Sequence, residues 1–181
     1  GFAWDEYEQR NIGVVCFNYV FYGDLYYFEY IARDHGAIFE LFLLMIEKAT
    51  GIVEYRDIYQ MRHLVTHLLF LISAFYFYKL IFFIYSKKYL AAIGFLLLVI
   101  NPSIYGHSFF NSKDLPFLSL FIICFYQFAL AFKHKKYYQF ILQGLFSALL
   151  INIRIMGILF VAFVLFFLVY DLLFQKKEKS F

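Results

Sequence analysis

The chain has 181 residues, 64% of them hydrophobic and only 16% charged, with a mean hydropathy of +0.69 and a net charge of +3. That composition excludes an ordinary water-soluble domain and predicts an integral membrane protein, an all-α polytopic bundle of transmembrane helices. The charge is unevenly divided. Ten of the thirteen carboxylates fall in residues 1–57, which carry a net −6 while the remainder carries +9. Two parts are expected: residues 1–57 as a non-cytoplasmic acidic loop with juxtamembrane amphipathic helices, and residues 58–181 as a transmembrane region of about five spans.

The chain starts at Gly1 without an initiator Met or a basic-then-apolar leader, which predicts a start inside a larger protein. Residues 1–13 are polar. Val14 to Ala32 is dense in Phe and Tyr but interrupted by Gly23, Asp24 and Glu29, so it suits the headgroup region better than the hydrocarbon core. Ala37 to Thr50 reads as an amphipathic helix lying on the membrane. Its apolar stripe is Ile38, Leu41, Phe42, Met45 and Ile46, Glu40, Glu47 and Lys48 lie off it, and Gly51 is its C-cap. Neither Cys16 nor Cys124 has metal-ligand or disulfide spacing, and both read as structural.

Five apolar runs follow: Leu64 to Tyr85, Tyr89 to Ile104, Leu115 to Phe132, Tyr138 to Ile151 and Ile155 to Phe174. The second and fourth are short for a hydrocarbon core of about 30 Å. Lys87-Lys88, the cluster Lys133 to Lys136, and Lys176-Lys177 follow the first, third and fifth runs. Lysines in short loops collect on the cytoplasmic side. His107 to Asp114 and Asn152 to Arg154 are therefore expected on the opposite face with the acidic segment. The membrane would be the plasma membrane in a bacterium.

That non-cytoplasmic face collects the residues with chemical capacity: Asp5, Glu6, Asp34, His35, Arg62, His63, His107, Asn111, Lys113, Asp114 and Arg154. Carboxylates and cations meeting where a membrane opens to water suit a lipid-phosphate donor. A carboxylate takes a proton from an acceptor hydroxyl, and Arg or Lys neutralises the leaving phosphate. A divalent metal ion shared by Asp5, Glu6 and Asp34 fits the preference of hard cations for oxygen. His63 and His67 have the spacing of two zinc ligands, but Leu64 stands where a zincin has Glu, so they read as core or interface histidines. No phosphate loop, Ser-His-Asp order or nucleic-acid module is present, and the basic clusters need no nucleic acid to explain them.

Several short motifs resemble the protein O-mannosyltransferase and aminoarabinose transferase group, glycosyltransferases of the GT-C fold. They are Asp5-Glu6, Asp34-His35-Gly36-Ala37 ahead of a helix ended by Gly51, Tyr59-Gln60-Met61-Arg62, Asn101-Pro102, Asn111-Ser112-Lys113-Asp114, and Gly144 before Arg154. Gly36-Ala37 replaces the usual Pro-Pro, and the first membrane helix of that group is not in the chain. The resemblance implies transfer of a sugar from a polyprenyl-phosphate donor to a protein or lipid acceptor outside the cytoplasm. It implies Asp5 as the catalytic base with Glu6 as its partner, Asp34 and His35 as a second cluster near donor or metal, and Arg62 facing the donor phosphate. Lys113 and Arg154 join Arg62 on grounds of sidedness and charge. The rival reading is a transporter or a non-catalytic membrane subunit, with Arg62, Lys113 and Arg154 lining a pathway.

Overall fold

The computed structural model describes residues 4–32 and 36–178, and all regular structure among them is helical. Helix α1 (Glu6–Tyr22) takes in both the polar start and the first half of the aromatic stretch. A short 3₁₀ helix, Leu25–Phe28, follows, with the Asp24 carboxylate accepting the Tyr26 N–H at 3.0 Å. Tyr22, Leu25, Tyr26 and Phe28 are exposed there, and Tyr19 stacks on Tyr27 at 5.0 Å between ring centres.

Helix α2 (Ile38–Thr50) forms where expected, and Gly51 ends it at φ 67° with its N–H on the Glu47 carbonyl. Only glycine takes that left-handed conformation at no cost. The helix turns the flank bearing Glu40 and Glu47 to the protein and its apolar stripe outward, as a helix lying on a membrane does. Glu40, Leu43, Leu44 and Glu47 are buried, whereas Phe42 and Met45 of the apolar stripe are exposed. Beside a bilayer an outward apolar ring costs nothing, while a carboxylate must turn inward to find a cation.

Helices α3 (Tyr55–Tyr85), α4 (Lys88–Ile100), α5 (Pro102–Phe110), α6 (Asp114–His134), α7 (Tyr137–Ile153) and α8 (Ile158–Glu178) follow, with a 3₁₀ turn, Ile155–Gly157, before α8. Among the described residues, α3, α6 and the segment Ile155–Phe174 are long and apolar enough to cross a membrane, and α7 is a shorter apolar helix. The second predicted run, Tyr89 to Ile104, is not continuous. It breaks at Asn101-Pro102, where α4 and α5 bend by 62°, so the pair makes one broken span or a re-entrant loop. Pro102 has no N–H to continue the helix, and the Asn101 side chain caps α5 by accepting from Ser103 and Ile104, both at 3.1 Å. The first predicted run, Leu64 to Tyr85, lies within α3 and ends with it, while the helix itself begins earlier, at Tyr55, and carries polar residues through its first two turns.

Helix α3 is central and packs on α4, α5 and α6, while α6 also packs on α7, and α1 lies on α2. One apolar core, around Cys124, Leu150, Phe160 and Val164, joins α6, α7 and α8. A second, around Phe39, Leu43 and Ile153, ties α2 to the bundle. The charged ends are sorted along α6, whose 21 residues span about 31 Å. At its far end the Lys133 ammonium lies 4.7 Å from the Phe83 ring centre, and Lys135 pairs with Asp171 at 2.6 Å. At its start Arg154 pairs with Asp114, and the Asn152 side chain accepts the Ile38 N–H at 3.1 Å. The lysine-rich turn and the acidic segment thus sit at opposite ends of the bundle.

Candidate functional site

The site is built from the inward face of α2. Glu40 is 2% exposed, and its carboxylate accepts from Arg62 Nη2 on α3 and from Ser112 Oγ in the α5–α6 turn. Arg62 is itself buried, and its backbone carbonyl accepts the Thr66 hydroxyl at 2.9 Å. Two turns further along α2, Glu47 accepts from Arg10 of α1 through both oxygens, at 2.5 and 3.0 Å. That forked hydrogen bond raises the Arg10 guanidinium above its usual value. Two carboxylates on one helix face therefore clamp α1, α3 and the α5–α6 turn together.

Beside this clamp a cleft of about 240 Å³ opens between the start of α1 and the α5–α6 turn. Asp5, Glu6 and Gln9 line one wall, and His107, Asn111, Ser112 and Lys113 line the other. Glu6 is buried, and its Oε1 lies 3.0 Å from His63 Nε2 on α3, whereas Asp5 is half-buried at the cleft. The turn bearing Lys113 is rigid for a local reason. Asn111 Oδ1 accepts the N–H groups of Lys113 at 3.2 Å and Asp114 at 2.7 Å, and Asn111 Nδ2 donates to Asp114 Oδ2 at 3.1 Å. Arg154 holds the other Asp114 oxygen.

Of the residues singled out in the sequence, Asp5, Glu6, His107, Asn111 and Lys113 come together in the cleft. Arg62 and Arg154 stand behind it, each engaged with a carboxylate, and Arg62 Nη1 is buried without a hydrogen-bond partner among the described residues. Asp34 and His35 lie outside the described residues. No three His, Cys, Asp or Glu side chains converge as metal ligands among the described residues. Asp5 and Glu6 alone are a short donor set for a divalent ion.

Glu40 and Ser112 are the residues that sequence reasoning missed. Glu40 lies off the apolar stripe of α2, yet Glu40, Leu43, Leu44 and Glu47 recur at helical spacing and mark the face that meets the protein. Gly36, the departure from Pro-Pro, also has a structural reason. A Cβ there would fall 1.6 Å from the Asn152 carbonyl oxygen, so only glycine lets the chain pass the end of α7 into α2.

A second opening is wholly apolar, a groove of about 420 Å³ between α2, α3, α6 and α7, lined by Ile38, Phe39, Leu69, Leu120 and Ile153 among others. Groove and clamp share α2: Phe39 faces the first and Glu40 the second.

The profile of the dolichyl-phosphate-mannose-protein mannosyltransferase family matches residues 42–180. Comparison with curated proteins and with solved structures finds no match.

Proposed function

The chain belongs to the dolichyl-phosphate-mannose-protein mannosyltransferase family, membrane glycosyltransferases that use polyprenyl-phosphate sugars, and on that premise we propose that the cleft between α1 and the α5–α6 turn is the transfer site. The observation that carries the reading is the meeting of Asp5 and Glu6 with Lys113 across one cleft at the end of the bundle. Asp5, the more open of the two carboxylates, takes the proton from an acceptor hydroxyl as that oxygen bonds to the sugar's anomeric carbon. The bond from that carbon to the phosphate oxygen breaks, the electron pair leaves with the polyprenyl phosphate, and the Lys113 ammonium neutralises it. Arg62, through Glu40 and Ser112, and Arg154, through Asp114, hold the turn from which Lys113 projects.

The apolar groove beside α2 suits the isoprenoid chain of the donor, since it opens among lipid-facing residues and shares its helix with the clamp. The lysine bias supports a cleft on the non-cytoplasmic face, with the acceptor there a protein or a lipid. The test is transfer of radiolabelled sugar from a polyprenyl-phosphate donor in membranes holding the full-length protein. Asp5→Asn keeps the shape of the side chain but cannot take the proton. It is expected to lower the rate by about 10²–10⁴ with insertion and abundance unchanged. A wild-type rate for Asp5→Asn contradicts the assignment.

A further inference from the structure

His63 and His67 share zinc-ligand spacing in the sequence, but the structure sends them to different tasks. His67 turns into the bundle, where its Nδ1 meets Ser108 Oγ at 2.9 Å and its ring stacks on Phe109 with centres 4.3 Å apart. His63 instead reaches Glu6 Oε1 at 3.0 Å, across 57 residues of sequence.

We propose that His63 is a positioning residue for the transfer site, fixing the Glu6 carboxylate at the wall of the cleft so that Asp5 beside it meets the acceptor in register. The inference rests on the transferase reading above. Three observations carry it. Glu6 is 6% exposed and His63 side-chain exposure is 23%, so the contact is shielded and not a surface encounter. Glu6 opens the first turn of α1 immediately after Asp5, so whatever fixes Glu6 fixes the direction in which Asp5 leaves the helix. Finally, α1 rests chiefly on α2, through Arg10 and Glu47, and that contact lies one turn further along α1. It sets the tilt of α1 but leaves the catalytic end to be tied elsewhere, and His63 ties it to α3, the central helix.

A carboxylate buried beside an apolar helix also needs a polar partner to stay in place. An imidazole Nε2–H supplies one hydrogen bond from a stiff ring, so the oxygen it holds has little freedom. Small displacements at a reacting centre are costly, a misplacement near 1 Å lowering rates by about a hundredfold.

The experiment uses the full-length protein in membranes, with His63→Leu and His63→Gln each made in wild-type and Glu6→Gln backgrounds. Gln carries an amide N–H close to the place of Nε2, whereas Leu carries none. His63→Leu is expected to lower kcat by about 10–100-fold, with the donor KM changed less than about threefold, since the interaction is not one with the donor. His63→Gln is expected to restore most of that loss. In the Glu6→Gln background His63→Leu should cost little more. Thermal unfolding in detergent should show the same non-additivity without any turnover. Additive effects of the two substitutions in both assays, or a His63→Gln variant as slow as His63→Leu at equal abundance, overturns the role. Retained coupling in unfolding together with wild-type turnover by Asp5→Asn overturns the transfer-site reading, and the positioning role with it. Additivity alongside an inactive Asp5→Asn overturns the role of His63 alone.

Discussion

Two regions of the bundle are held together by different physics. Where α1, α2, α3 and the α5–α6 turn meet, the contacts are ion pairs and hydrogen bonds to carboxylates: Glu40 with Arg62 and Ser112, Glu47 with Arg10, Asp114 with Arg154, Glu6 with His63. Between α6 and α8 the contacts are aromatic, a ladder of Phe121, Phe125 and Phe128 against Phe160, Phe163 and Phe167 with ring centres 5.0 to 5.7 Å apart. Ring packing is graded, because a smaller ring or a branched chain fills most of the same space. A buried ion pair is all or none, because losing one partner strands the other charge. Geometry fixed by ion pairs is therefore stiff and directional, which is what a site needs, whereas the ring ladder only has to exclude lipid and hold helices side by side.

The sharpest way to break that contrast is Arg62→Leu. It strands the Glu40 carboxylate in the interior, and removing one member of a buried pair costs about 3–5 kcal/mol. Thermal unfolding in detergent should show it, and Arg62→Leu with Glu40→Leu should recover most of the loss. A double variant as unstable as the sum of the two singles would mean that the pair is not a unit.

Phe160→Leu should cost less, under about 1.5 kcal/mol, as near volume-conserving core changes do. The same unfolding measurement checks it, and a loss comparable to that of Arg62→Leu would erase the distinction between the two regions.

The smallest effect is expected at the lysine-rich end. Lys135 and Asp171 are paired at 2.6 Å, but with side chains 43% and 26% exposed. Solvent screening limits such a pair to about 0–1 kcal/mol, so Asp171→Asn should barely shift unfolding.

Much of this was legible in the sequence, for identifiable reasons. The five apolar runs fall within the helices from α3 to α8, the second divided between α4 and α5, and Gly51 marked the end of α2, because apolar length and positive φ are local demands. Asp5 and Glu6 were implied by the family resemblance and Lys113 by sidedness and charge, since a membrane leaves few other places for charge. What could not be read was what the inward flank of α2 would meet. Amphipathic periodicity gives two stripes but not the residues that either one contacts. The break at Asn101-Pro102 was visible as a proline, yet hydropathy alone carried the run through it. The partners of Arg62 and Arg154 lie 22 and 40 residues away, at separations that no local pattern encodes.

The central claim is that the ionic end of the bundle receives the donor. Photocrosslinking with a polyprenyl phosphate bearing a photoreactive group beside its phosphate, in membranes of the full-length protein, tests it most directly. The account predicts labelled peptides from the walls of the cleft, residues 4–9 and 107–113, with labelling competed by unmodified donor. Competed labelling confined to the lysine-rich turn at residues 133–136 would contradict it.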